Sequence, residues 1–140
     1  MAKTILRDVV ITVDGVDLSD HASSVTINTE KDDVDLTAFG DALHVHGVGL
    51  GDGSIEVDFY QDFAAASVDA TLWPIYNAGV AVPIIVKPTE AAVSATNPAF
   101  TMDGLLMSYS PLAGSVGEAS TMSVTFQNGG ATGIVRDVTP

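Results

Sequence analysis

The sequence predicts a mainly β fold, an antiparallel β-sandwich or barrel with one flanking α-helix. Three observations predict it. Apolar and polar residues alternate in run after run, turn-forming residues fall between the runs, and one segment alone carries helical spacing. The chain has 140 residues, one domain's worth. At this size about 68–70% of the unfolded surface can be removed from water.

The elements follow in order. Val9, Ile11 and Val13 alternate with Val10, Thr12 and Asp14. Asp14-Gly15 then reads as a tight hairpin turn into a short return over residues 16–18. Further period-two runs are Val25 and Ile27, then Val34, Leu36 and Ala38, then Ile55, Val57 and Phe59, and finally Met122, Val124 and Phe126. Successive strand side chains point to opposite faces, so each run has one face for a core and one for water. The segment 43–53, with Gly47, Gly49, Gly51 and Gly53, is expected to be a loop, as are 88–98 and 111–117. Val68, Leu72, Ile75 and Tyr76 lie on one helical face. Ser67 is the expected N-cap, and Asp69 is a favourable charge in the first turn. Pro74 predicts that this helix ends near Trp73, or kinks there and stops at residues 77–79. Residues 80–86 read as a buried strand, with Pro83 arguing for an edge or an interruption. A last strand is expected near 132–138. The order is β-β-β-β-α-β-β-β-β, a single domain over residues 1–140.

Composition excludes several classes. The chain is 46% hydrophobic and 16% charged, against the low hydrophobicity and high charge of a disordered chain. It has no cysteine, so neither disulfides nor thiol chemistry are available. Its 18 acidic and 5 basic residues give −13, which opposes groove binding to nucleic acid. No stretch approaches the roughly 18 apolar residues of a membrane span, so no membrane insertion is expected. The first residues lack a secretory h-region, so synthesis in a cytosol is expected.

Candidate chemistry is sparse. His44-Val45-His46 could offer two imidazoles, but nothing local completes a metal site. The glycine run 47–53 fails the dinucleotide spacing and lacks a P-loop lysine. Asp14, Asp17 and Asp20 lack the EF-hand order, and no nucleophile elbow is present. No catalytic residue, cofactor or metal is therefore expected, and the chain is not expected to be an enzyme. The positive constellation is acidic. Asp33, Asp35, Glu56 and Asp58 project from the polar faces of two runs flanking one loop. If those strands pair, the four carboxylates share a face, a surface suited to repel another polyanion.

The sequence resembles the major tail tube proteins of long-tailed, siphovirus-type bacteriophages, in particular those of actinobacteriophages. The residues that carry the resemblance run along most of the chain. They are Val13-Asp14-Gly15-Val16-Asp17-Leu18-Ser19-Asp20-His21, Asp33-Val34-Asp35-Leu36-Thr37-Ala38-Phe39-Gly40-Asp41, Asp52-Gly53-Ser54-Ile55-Glu56-Val57, Phe59-Tyr60-Gln61-Asp62-Phe63 and Ser67-Val68-Asp69-Ala70-Thr71-Leu72-Trp73-Pro74. Ser94-Ala95-Thr96-Asn97-Pro98 and the closing stretch 133–139 also fit.

The resemblance implies a structural virion protein that self-assembles into rings, usually hexameric, stacked into a hollow tail tube. Its implied partners are other copies of itself, a tape-measure protein, and the tail terminator and tail-tip proteins. Phage DNA passes through without specific binding. The alternative is another virion structural protein, a capsid decoration or head–tail joining protein. On the tube reading, runs 33–40 and 53–61 form a hairpin given to an inner barrel, with Asp33, Asp35, Glu56 and Asp58 lining the lumen. The glycine-rich assembly loop 41–52, with Leu43, His44, His46, Leu50 and Asp52, reaches a neighbouring ring. The N-terminal arm 1–8 and the C-terminal strand or tail 133–140 add contacts. The location implied is the virion tail, after synthesis in the host bacterial cytoplasm.

Overall fold

A computed structural model describes residues 3–139; residues 1, 2 and 140, the outermost parts of the expected arm and tail, lie outside it. β1 (Val10–Val13) and β2 (Val16–Asp17) make the expected hairpin. Asp14 and Gly15 have φ of 49° and 81°, the doubly positive turn whose twist matches paired strands. A 3-10 turn, Ser19–His21, leads into β3 (Ala22–Asp35), followed by β4 (His46–Tyr60), α1 (Val68–Ala78), β5 (Val82–Lys87), β6 (Ala99–Leu106), β7 (Thr121–Asn128) and β8 (Val135–Asp137). Four strands, a helix and four strands is the predicted order, but the expected run at 25–27 and the start of that at 34–38 share the single strand β3, and β6 answers to none of the expected runs.

All pairings are antiparallel, in the order β2-β1-β5-β6-β7-β4-β3, with β8 also on β6. β6 divides one of its edges: Ala99–Thr101 pair with β8, and Gly104–Leu106 pair with β7. That short seam joins two half-sheets around one core, the sandwich that the alternation predicts. Ile11, Val13, Ile84 and Met102 come from one half, and Ile55, Val57, Phe59, Val124 and Phe126 from the other. Each such side chain contributes about 1.5–3 kcal/mol by leaving water.

The helix adds Val68, Leu72 and Ile75 to this core. It runs through Pro74 and stops at Gly79, whose φ of 66° ends it with an N–H donated to the Ile75 carbonyl. Ser67 stands at the N-cap without a capping bond from its side chain. Tyr76 and Trp73 stay partly exposed, with ring centroids 5.9 Å apart and planes tilted by 36°.

Three expectations are corrected. The segment 41–52 is not a loop throughout, because β4 begins at His46. Its glycines recur at every second position, and side chains of the preceding strand and turn lie over Gly47 and Gly49. A Cβ on Gly47 would sit 2.6 Å from the Leu36 side chain, and one on Gly49 would sit 3.0 Å from Asp32 and Val34. The hairpin is therefore 22–35 with 46–60, not 33–40 with 53–61: Asp33 pairs with Val48 and Asp35 with His46, while Glu56 pairs with Thr26 and Asp58 with Ser24. Third, β5 is interior, flanked by β1 and β6. Pro83 is tolerated because β1 has already ended beside it; its carbonyl accepts the N–H of Asp14 in the turn, 2.9 Å away. On that side no strand asks Pro83 for a donor.

Candidate functional site

The hairpin β3–β4 outgrows the sandwich. β7 covers β4 only from Ser54 to Tyr60. Residues 46–53 pair with β3 alone, a two-stranded arm reaching about 27 Å at the usual strand rise. Its β3 edge, and its β4 edge over 46–53, have no strand partner among the described residues. Between Lys31/Gly51 and Asp33/Val48 the register shifts by one residue on β4, a bulge that bends the arm.

The end of the arm is built by hydrogen bonds. Leu36 donates its N–H to the Val45 carbonyl at 2.8 Å, and Val45 donates to the Thr37 hydroxyl at 2.9 Å. Asp41 donates to the Ala38 carbonyl, its carboxylate accepts the Ala38 N–H, and Gly40 turns the chain at φ 94°. That positive φ at the third turn position is the type II requirement. Thr37 holds the Asp35 carboxyl below its ordinary value, through its hydroxyl first and then its backbone N–H. Around this frame the arm is apolar and exposed: Val34, Leu36, Phe39, Leu43, Val45, Val48 and Leu50, with Leu43 and Leu50 above 80%. Isolated two-stranded ribbons are marginal in water, so an arm with this surface is suited to a partner.

The expected site residues divide. Leu43 and His44 lie in the end loop, while His46, Leu50 and Asp52 lie in β4, all exposed. His46 Nδ1 meets the Asp33 carboxylate at 2.8 and 3.0 Å. The four carboxylates do not share a face. Asp33 and Asp35 follow the odd alternation of β3, the one that carries Val25 and Ile27 inward, whereas Glu56 and Asp58 pair with the even positions Thr26 and Ser24.

The even face is the more continuous feature. Across β3, β4 and β7 it runs in rows: Ser24–Asp58–Ser123, Thr26–Glu56–Thr125 and Asn28–Ser54–Gln127, with Glu30–Asp52 beyond. No row contains an apolar or basic side chain. Ser24 donates its hydroxyl to Asp58 at 2.7 Å, and Ser123 donates to the other carboxylate oxygen. Ser123 first and Ser24 second hold this carboxyl below its ordinary value. The serines, threonines and amides of these rows are the residues that sequence reasoning missed. Their period-two spacing was visible, but the partners across strands were not.

Elsewhere, polar clusters fix loops. His21 Nε2 meets Asp62 at 2.9 Å, and Ser67 donates its hydroxyl to the same carboxylate oxygen at 2.7 Å. The Ala64 N–H, then Ser67, then His21 hold Asp62 below its ordinary value. In a nucleophile–base–acid relay the acid and the nucleophile use opposite imidazole nitrogens. Here Asp62 and Ser67 approach the same one, so the trio ties β3, β4 and α1 together and relays nothing. His21 is thus anchored and not a free turn residue. Among the described residues no three His, Asp or Glu side chains gather as a metal site, and no helix is long and apolar enough to cross a membrane.

The fold is shared with chains of three solved structures. The SPP1 tail tube protein superposes with a TM-score of 0.77, over 98% of this chain and 80% of that one, at 14% identity. A chain in the virion of a native gene transfer agent gives 0.71, over 91% and 95%, at 16% identity. A chain in the tail of an empty gene transfer agent particle, refined helically with C6 symmetry, gives 0.65, over 83% and 81%, at 15% identity. No protein-family model matches the sequence, and no curated protein matches it. At such identities what is shared is the fold.

Proposed function

We propose that this chain is the structural subunit of a phage-type tail tube. Copies join side by side into rings, hexameric as in the C6 particle of similar fold, and the rings stack into a hollow filament. The observation that carries this reading is the arm with two unpaired edges. Laid beside a neighbour, the β3 edge of one copy meets the β4 edge of the next, so each copy satisfies backbone groups of another. Closing the circle removes the free edges of the arm.

The hydroxyl and carboxylate rows then line the bore. Glu56 and Asp58, with Glu30 and Asp52, give it negative charge, and no basic side chain of these rows offers DNA a place to stick. Charges act over a Debye length of about 8 Å at physiological salt, far enough to keep a phosphate backbone sliding off the wall. Asp33 and Asp35 belong on this reading to contacts of the arm. The role is structural and not catalytic. A tape-measure protein inside, terminator and tip proteins at the ends, phage DNA in transit and residence in the virion tail complete the proposal.

Electron microscopy of the concentrated purified chain tests it. Expected are hollow filaments with six-fold rings and the β3–β4–β7 polar face inward. A variant lacking residues 36–45 should stay folded and form none. Filaments with that face outward would overturn the lumen assignment. A chain found on the head and not in the tail would instead favour a capsid decoration or head–tail joining role.

A further inference from the structure

Two features at opposite ends of β3 fit one another. The first is Phe39, at the apex of the end turn of the arm. It is fully exposed, yet it is not loosely held. The Ala38–Asp41 hydrogen bonds and the left-handed Gly40 fix the backbone on either side of it. The second is an apolar groove of about 170 Å³ lined by Leu6, Val9, Val25, Ile27, Val86, Pro88 and Phe100. Apolar cavities of roughly 150 Å³ accept a benzene ring, so the groove has the size and chemistry for one phenyl group.

The phenyl cannot reach its own groove. Ile27 in the groove and Asp35 at the root of the turn lie on one continuous strand, about 27 Å apart at the strand rise. The occupant is therefore another copy. A knob on one end fitting a hole on the other is a heterologous contact, which repeats without closing and so builds filaments. Electrostatics favours the same landing site. The arm between Glu30 and Asp52 carries Asp32, Asp33, Asp35 and Asp41 as well, with Lys31 as its one basic residue. The groove is bordered by Arg7, by Lys87 between two of its lining positions, and by Arg136, which pairs with Phe100 across β6 and β8. Those three are most of the 5 basic residues of the chain. Asp8 and Asp137 stand beside them, so the rim is close to neutral in a molecule of −13. An acidic arm meets less repulsion there than elsewhere.

We infer that Phe39 of one copy seats in the Leu6–Val9–Ile27–Phe100 groove of a copy stacked above or below it. This contact is the axial joint of the filament. The inference rests on the tube reading and adds its stacking partner.

Two measurements test it. Phe39→Ala should raise the critical concentration for filament formation about tenfold or more, while the thermal melt of the monomer stays in place because Phe39 touches no core. The chain has no cysteine, so introduced thiols report position directly. Phe39→Cys protein mixed with Val9→Cys protein and oxidised should give a cross-linked pair. Phe39→Cys mixed with Val116→Cys, a site more exposed than Val9, should not. Filaments that form from Phe39→Ala at the original concentration overturn the inference and leave the tube reading standing. So do filaments in which the Val9→Cys cross-link is no stronger than the Val116→Cys control. A specific cross-link without any filament from the unaltered chain would sink the tube reading and keep the contact. Neither filament nor cross-link would remove both.

Discussion

At the scale of single residues, the carboxylates reveal how charge is carried on the sheet surface. Asp58 is not merely exposed: two serine hydroxyls from neighbouring strands donate to it, and its carboxyl sits below the ordinary value. A group whose folded pKa is lowered adds stability above its unfolded pKa, near 3.9 for Asp, and loses it as pH falls through the folded value. Asp58→Asn should therefore lower the urea midpoint at neutral pH, and the gap to the unaltered protein should shrink below about pH 4. A gap that is constant with pH would mean that these hydroxyls contribute nothing to the charged form. Tyr109 works in the opposite direction. Burial first, then Asp69, raise its phenol to about 12, against the hydrogen bond from Gln61. The stability it adds is whole below pH 10 and is lost between about 10 and 12. Tyr109→Phe removes the bonds to Asp69 and Gln61 and should cost about 1 kcal/mol, while abolishing that alkaline loss in denaturation measured across pH. None of these partnerships was legible beforehand. Ser24 and Ser123 stand 34 and 65 residues from Asp58, and cross-strand register is decided by the whole sheet, not by local spacing.

At the scale of elements, local rules succeed where one segment's own chemistry decides. Asp14-Gly15 dictates its turn, and Val68, Leu72 and Ile75 dictate the buried side of α1. They fail where a neighbour decides. Glycine weakens an isolated strand, so Gly47, Gly49, Gly51 and Gly53 read as a loop. Their period of two nevertheless carried part of the answer, because Gly47 and Gly49, without side chains, make room for Leu36, Val34 and Asp32. Pro83 misleads in the same way, since the end of β1 removes the demand for its missing donor. The arm thus offers a local test. Gly49→Val adds a Cβ 3.0 Å from two side chains, too close to be absorbed without displacement. It should distort the arm and abolish filaments, yet leave the melting temperature within about 2 °C, because the sandwich core is untouched. Melting is read by circular dichroism and assembly by pelleting. A large drop in melting temperature would show that the arm and the sandwich fold as one cooperative unit.

At the scale of the whole molecule, the governing quantity is the charge of −13, repeated in every copy. Composition made it legible at once, but not its distribution: acidic on the arm and on the outer rows of β3, β4 and β7, near neutral around the apolar groove. In the proposed tube, assembly would bring the acidic parts of several copies together. Backbone pairing and apolar burial drive it, and repulsion between copies opposes it. Salt separates these terms. Between 0.01 and 0.15 M ionic strength the Debye length falls from about 30 Å to about 8 Å, which removes most repulsion between copies and leaves the short-range contacts nearly intact. The critical concentration for filaments should accordingly fall as sodium chloride is raised through this range, as measured by sedimentation. Replacing Glu56 and Asp58 together by Gln and Asn should flatten that dependence. If salt instead dissolves the filaments, then attraction between the acidic arm and the Arg7, Lys87 and Arg136 rim outweighs the repulsion, and the axial contact is electrostatic before it is hydrophobic.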